Sequence, residues 1–265
     1  RILNGLIIDM NRINKFFQKK NKKILSIYFT AGYPRINDSV DIIKALDKNG
    51  VDMIEVGIPF SDPIADGPII QNSSTIAIKN GMNMSLLFDQ LKNIRSTTQI
   101  PLILMGYINP IIQFGYDKFV NKLIDCGVDG VILPDLPLLE YKKELKPFFD
   151  KNNISFVSLI SPNTSIERVK EIDQISDGFL YVVSSSSITG QNNLFDANQI
   201  KYFNSLNNIF LKNPKIIGFG ISDKKSFDMA CNYSNGAIIG TKFINSLDAL
   251  NLNKSIKKFV NSILL

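Results

Sequence analysis

The stretch that decides the fold is residues 53–80, MIEVGIPFSDPIADGPIIQNSSTIAIKN. It opens on Met53-Ile54-Glu55-Val56, apolar but for one carboxylate, and passes through a loop punctuated by Pro59, Pro63, Gly67 and Pro68. From Ile69 to Asn80 the apolar residues then recur at helical spacing. A short run that is nearly continuously apolar is how a parallel strand covered on both faces reads, and the unit is therefore a buried strand feeding a helix.

The same rhythm repeats along the chain. Strands are predicted at 24–29, 53–56, 102–105, 130–133, 155–159, 179–183, 215–218 and 237–239. Helices are predicted at 39–49, 69–80, 85–97, 116–126, 138–152, 165–175, 197–211, 223–232 and 243–264. Eight strand-then-helix units in about 255 residues match the usual length of a (β/α)8 TIM barrel, here one α/β domain with an extra N-terminal helix. An open doubly wound sheet more often carries a glycine fingerprint after its first strand, where this chain has Thr30-Ala31-Gly32-Tyr33-Pro34. No Pro- or Ser-rich linker and no fixed-period repeat divides the chain. The barrel is assigned to 10–265, and residues 1–9, ahead of the first methionine at Met10, read as a leader or non-native extension.

Composition narrows the chemistry. The 265 residues include no His and no Trp, with 2 Cys, 16 Gly and 11 Pro. Without histidine there is no Ser-His-Asp or Cys-His nucleophile system, no His zinc site and no imidazole base. Acid–base work falls to carboxylates, Tyr, Lys or Cys. Cys126 and Cys231 lack C-x-x-C spacing and read as small buried hydrophobes of a reducing cytoplasm. Mean hydropathy is +0.06, and no apolar run reaches the roughly 18 residues of a membrane span. The net charge of +6 comes from lysines spread along helix-like segments, which reads as solvated faces rather than a nucleic-acid patch. No thiolate cluster or Asp-rich loop of calcium spacing signals a metal.

In a barrel the active groups belong at the carboxyl ends of the strands. Glu55 lies within the apolar second strand; pointing inward it would be desolvated and hold a proton near neutral pH, while the pattern alone equally allows a paired or rim carboxylate. The loop beyond it carries Asp62 and Asp66, each readable as a turn former or cap. Two carboxylates in different environments are how one site runs an acid and a base together. Glycine turns follow the sixth, seventh and eighth strands, at Gly190, at Gly218-Phe219-Gly220 and at Gly240-Thr241. Together they suit a backbone cradle for phosphate. Tyr28, Phe60, Tyr107, Phe179, Tyr181 and Phe219 at strand ends could line a pocket for a flat ring, though each alone reads as core packing.

The segment from Glu55 to Pro68 closely resembles the signature of the tryptophan synthase alpha chain family. The likeness extends through Phe29-Thr30-Ala31-Gly32-Tyr33-Pro34, Leu104-Met105-Gly106-Tyr107-Ile108-Asn109-Pro110, Asp129-Gly130-Val131-Ile132-Leu133-Pro134-Asp135-Leu136-Pro137, Gly218-Phe219-Gly220-Ile221-Ser222 and Ile239-Gly240-Thr241. It spans essentially the whole chain from Met10.

The resemblance implies a lyase that splits indole-3-glycerol phosphate, by a retro-aldol reaction, into indole and glyceraldehyde 3-phosphate. It assigns Glu55 as the acid–base group at the indole ring carbon and the side-chain hydroxyl. Asp66 becomes the partner of the indole N–H. Phe179 and Tyr181 become aromatic contacts near the catalytic carboxylate, beside Tyr28 and Phe219, which are expected to bind substrate as strand-end aromatics, and Gly190, Gly220, Gly240 and Thr241 become the phosphate cradle. It further implies no cofactor in this chain, and a pyridoxal-phosphate-dependent beta chain as partner in an αββα tetramer. The partner would face the Asp62-Pro63, Asn109-Pro110 and 135–137 loops.

One departure stands out. Where the family has Ser-Arg-x-Gly-x-Thr-Gly after strand six, this chain has Ser184-Ser185-Ser186-Ser187-Ile188-Thr189-Gly190. The arginine and the first glycine are missing, and Ser cannot replace a bidentate guanidinium. The resemblance implies that this loop is a mobile lid whose closure communicates with the beta chain; weaker closure is expected, with a mainly beta-chain-activating subunit as the alternative reading. Another phosphate-binding barrel would more often place a catalytic lysine inside an early strand, and none of these strands does so.

Overall fold

The computed structural model describes residues 10–184 and 195–265, with the backbone of a short antiparallel ribbon, β1 (Ile2–Leu3) and β2 (Leu6–Ile7). The strand sequences are nearly continuously apolar, so both faces must be covered. Eight of them, β3 (Ile24–Thr30), β4 (Met53–Gly57), β5 (Leu102–Met105), β6 (Gly130–Ile132), β7 (Ser155–Ile160), β8 (Leu180–Val183), β9 (Lys215–Gly218) and β10 (Gly236–Ile239), pair in parallel. They close into a barrel in which β10 returns to β3. Alternation divides each strand between two cores: in β4, Met53 faces the barrel interior while Ile54 and Val56 pack outward against the helices.

Ahead of the barrel, α1 (Arg12–Lys19) closes its amino-terminal end. Asn11 caps it, accepting from the Asn14 N–H at 3.0 Å, and its own amide donates to Ser155 Oγ at 2.7 Å and to the Asp129 carbonyl at 3.2 Å. Asp129 in turn accepts from Arg12, Arg95 and the Leu102 N–H, at 2.9, 2.6 and 2.9 Å. Ile13 is fully buried and joins the interior core. The expected N-terminal helix is thus the floor of the barrel.

The outer layer follows the sequence pattern closely but not everywhere. The helices α2 (Ser39–Lys48), α3 (Pro68–Lys79) and α4 (Met84–Leu91) come in turn, and the helix expected over 85–97 stops at Leu91, with a separate 3-10 turn at Ile94–Ser96. The pattern missed α5 (Ile108–Phe114) because Pro110 reads as a loop signal. Proline is tolerated in a first helical turn, and the Asp135 carboxylate caps this one by accepting from the Ile108 N–H at 3.0 Å. After α6 (Tyr116–Cys126), the segment expected as one helix over 138–152 is α7 (Leu138–Glu140), a π turn at Tyr141–Leu145 and α8 (Lys146–Asn152).

The sequence continues with α9 (Ile166–Ile175), α10 (Ala197–Asn207) and α11 (Lys224–Tyr233), and α10 ends four residues before the expected 211. The single helix expected over 243–264 is two, α12 (Thr241–Ser246) and α13 (Leu252–Leu264). The Asp248 carboxylate folds the joint by accepting from the Leu250 N–H and the Asn251 amide, at 2.9 and 3.0 Å. The strand expected from residue 179 begins at Leu180.

Barrel closure presses β10 against β3 hardest at Gly236. A Cβ there would overlap the Ile24 carbonyl oxygen and stand 2.7 Å from its carbon. Backbone cannot step aside as a side-chain tip can. Gly236→Ala is therefore expected to destabilise the chain by about 3 kcal/mol, the upper range for forced overpacking, read as a lowered urea midpoint at constant slope.

Candidate active site

Glu55 sits at the third position of β4, level with Tyr28 of β3 and Ile103 of β5. It is fully buried. Its Oε1 accepts from Ser26 Oγ at 2.7 Å, while Oε2 has no hydrogen-bond partner among the described residues. Burial disfavours the charged form and raises the Glu55 pKa to about 7, the Ser26 hydrogen bond opposing part of that rise. The pattern left a paired or rim carboxylate open; the structure shows an inward one, bonded to a hydroxyl rather than a lysine.

Asp66 lies in the loop between β4 and α3 and is half-buried. Tyr107, just beyond the end of β5, donates its hydroxyl to Asp66 Oδ2 at 3.0 Å and accepts from the Ala65 N–H at 3.1 Å. One phenol thereby fixes both the backbone and the carboxylate of this turn. Phe60 packs on the same ring at 5.3 Å between centroids. Burial raises the Asp66 pKa and the Tyr107 hydrogen bond pulls it down. Asp62 is exposed on the outer part of the loop.

Two tyrosines feel both carboxylates. Burial pushes the Tyr28 hydroxyl pKa up first, then the charge of Asp66, with Tyr107 and Glu55 adding to it. For Tyr181 the order is burial, Glu55, Tyr28 and Asp66. Both rings cross bare backbone: a Cβ at Gly57 would overlap the Tyr28 hydroxyl, and one at Gly218 would overlap the Tyr181 ring. Phe219 packs edge-on to Tyr181 at 6.0 Å.

The glycine sector stands beside them. Ser184 Oγ donates to the carbonyls of Gly218 and Phe219, at 3.2 and 2.8 Å, and so ties the end of β8 to that of β9. Phe219 and Gly220 both adopt positive φ, +69° and +75°, which turns the chain sharply over the barrel mouth. Gly240 caps α12, with Thr241 its first residue. The amides of Ser222 and Asp223 are both taken up by Ser226 Oγ, at 3.0 Å each.

The structure does not bring Phe179 to this cluster. It precedes β8 at the amino-terminal end, buried with its ring 6.2 Å from Phe17 of α1. The alternation that makes it inward-facing, like Tyr181, does not say at which depth it sits. Gly190, with the rest of the serine-rich segment after Ser184, lies outside the described residues. Two residues of the cluster carry roles the sequence did not assign. Ser26 is a polar residue among apolar neighbours, which was a usable signal, whereas Tyr107 was visible only as one strand-end aromatic among six. A cavity of about 620 Å³ opens at the far end of the barrel, lined by Arg12, Gln99 and Asp129 among others, and holds none of the residues above.

Two carboxylates of unlike environment, facing tyrosines and a glycine turn on one barrel mouth, fit the expected acid–base pair. Comparison with known proteins decides the family: a family model described as the tryptophan synthase alpha chain matches residues 15–263. The chain belongs to that family. The tryptophan synthase alpha chain of Flavobacterium psychrophilum is 55% identical over 254 residues, covering 96% of this chain and all of the relative. The crystal structure of the alpha chain from Legionella pneumophila superposes with a TM-score of 0.85 at 32% identity, covering 96% of each chain. A chain of the tryptophan synthase complex from Pyrococcus furiosus gives 0.83 at 32% identity, covering 92% of this chain and 99% of that one. As a member of that family the chain is a lyase that works with a beta chain, and the family reaction is the retro-aldol cleavage of indole-3-glycerol phosphate.

Proposed function

We propose that Glu55 and Asp66 divide the acid–base work of that cleavage. The observation that carries the reading is the buried Glu55 whose Oε2 has no partner among the described residues. With its pKa near 7, Glu55 holds a proton at neutral pH and delivers it to the indole ring carbon, leaving an indolenine cation. Asp66, ionised at the rim, accepts from the indole N–H and stabilises that cation. The Glu55 carboxylate then removes the side-chain hydroxyl proton. The carbon–carbon bond breaks, its electrons return to the ring, and indole and glyceraldehyde 3-phosphate leave with Glu55 reprotonated.

Tyr28, Tyr181 and Phe219 flank the ring in this reading. Gly220, Gly240 and Thr241 hold the phosphate, with Gly190 as a further backbone donor, and the Ser222 and Asp223 amides contribute little because Ser226 occupies them. The partner side is supported by Ile64, Ile112 and Leu139, which are 85, 53 and 77% exposed on three successive segments after β4, β5 and β6. Large apolar side chains left exposed on the segments that follow three adjacent strands suit a docking surface. We assign them to the beta chain, in an αββα assembly with pyridoxal phosphate held by that partner and none in this chain, and we place the assembly in the cytoplasm. No helix among the described residues is long and apolar enough to cross a membrane.

A second reading is favoured by the serines that replace the lid arginine and glycine: a subunit that mainly activates its partner. Assaying indole release from indole-3-glycerol phosphate, with and without a beta chain, separates the two. Release by the chain alone, stimulated by the partner, is the expected result. Stimulation of the beta reaction with no indole release of its own would establish the second reading.

A further inference from the structure

The interior of the barrel holds one hydrogen bond that the reaction does not require on paper. Ser26 is fully buried on β3, and its hydroxyl donates to Glu55 Oε1 at 2.7 Å. In register Ser26 stands beside Met53, one inward-facing step below Glu55 toward the amino-terminal end. The bond therefore reaches up the barrel and takes hold of one carboxylate oxygen from beneath. The other oxygen, Oε2, is equally buried and has no partner among the described residues. A carboxylate in an apolar barrel would otherwise rotate between equivalent faces, and either oxygen could carry the proton.

We propose that Ser26 is a positioning residue for the catalytic carboxylate, holding Oε1 so that Oε2 alone exchanges the proton with substrate. The proposal rests on the assignment of Glu55 as the acid–base group. A well-oriented donor to a charged group also favours the charged form, so Ser26 has a second effect on the pH at which Glu55 titrates. The groups that face Glu55 are the phenols of Tyr28 on β3 and Tyr181 on β8, with Asp66 acting on those two phenols from the rim. Burial and Ser26 are the two influences that shift Glu55 itself.

The test measures indole release by the full chain with its beta chain across pH 5 to 9, for the wild type, Ser26→Ala, Ser26→Thr and Glu55→Gln. Removing the hydroxyl is expected to lower kcat about tenfold with KM within about twofold, the scale of a hydrogen bond to a charged group. It is also expected to move the alkaline limb of the profile to higher pH, because the charged form of Glu55 loses its donor. Ser26→Thr, which keeps the hydroxyl, restores the limb to its wild-type position. A purely structural role for Ser26 would lower the melting temperature and leave the limb in place, and that result overturns the proposal, as does a Thr variant that behaves like Ala.

If Ser26→Ala does not fold, Ser26→Cys, a weaker donor of similar size, is read in the same way: a raised limb supports the proposal and an unmoved one overturns it. Glu55→Gln separates the two layers. Activity retained in that variant removes the assignment of Glu55 and Ser26 with it. An inactive Glu55→Gln beside a Ser26→Ala that matches the wild type removes only Ser26.

Discussion

Glu55→Gln is expected to lower indole release by about a thousandfold, the middle-to-upper range for a positioned acid–base group, while making the folded chain more stable at alkaline pH. The amide matches the carboxyl in shape and can still accept from Ser26, so the barrel keeps its packing. It cannot give up the proton that the indole carbon requires. The stability effect follows from linkage. The folded pKa of about 7 lies above the ordinary carboxyl value of 4.5, so between those values the folded chain binds more protons than the unfolded chain and stability falls as pH rises. Above about pH 7 the whole penalty is present, about 3 kcal/mol for a shift of this size in a fully buried group. Gln removes it. Urea unfolding at pH 8 should show the variant more stable than wild type by about that amount, with the difference vanishing near pH 4. Equal stability at both pH values would mean that Glu55 is not held protonated by burial. In the active protein the same titration is expected to appear as loss of kcat/KM above about pH 7, where Glu55 arrives at the substrate without its proton.

Asp66→Asn is the second large effect, with an expected loss of about a hundredfold in kcat and little change in KM. In the proposed division of labour the cation that Asp66 stabilises exists only after ring protonation, so the interaction is made in the transition state and not with bound substrate. Burial has already raised the Asp66 pKa, and the group must be ionised to act, so activity is expected to fall on the acid side as Asp66 takes up a proton. Tyr107 holds that pKa down by donating to Oδ2 at 3.0 Å. Tyr107→Phe should accordingly move the acid limb to higher pH and release the Asp66 carboxylate from its fixed orientation, a smaller loss than that of Asp66→Asn. Steady-state kinetics of indole release across pH 4 to 9 would show both changes. A KM rise at constant kcat in Asp66→Asn would instead assign the residue to ground-state binding.

The cluster shows why some roles could be read from the chain and others not. Glu55 announces itself because a carboxylate between Ile54 and Val56 is costly unless it has work to do. Asp66 is named by its motif. Their different environments are a matter of depth: one lies wholly within the barrel and the other at its rim beneath Tyr107, 41 residues away in sequence. Ser26 and Glu55 are 29 residues apart on neighbouring strands, and their pairing depends on a register that no local pattern encodes. Phe179 and Tyr181 share an inward face by the two-residue alternation, yet one packs on the floor at Phe17 and the other beside Phe219 at the mouth.

Periodicity and composition by themselves determined the eight barrel strands, the parallel barrel and the exclusion of imidazole from the acid–base chemistry. These are consequences of short-range spacing and of which side chains are present at all. Closure of the barrel decided the rest. It set which oxygen of Glu55 is held and which is left open. It put Tyr28 and Tyr181 across the backbone at Gly57 and Gly218, and it gave Asp66 to Tyr107. Each of these depends on contacts between residues far apart in sequence, whose geometry exists only once eight strands share one register.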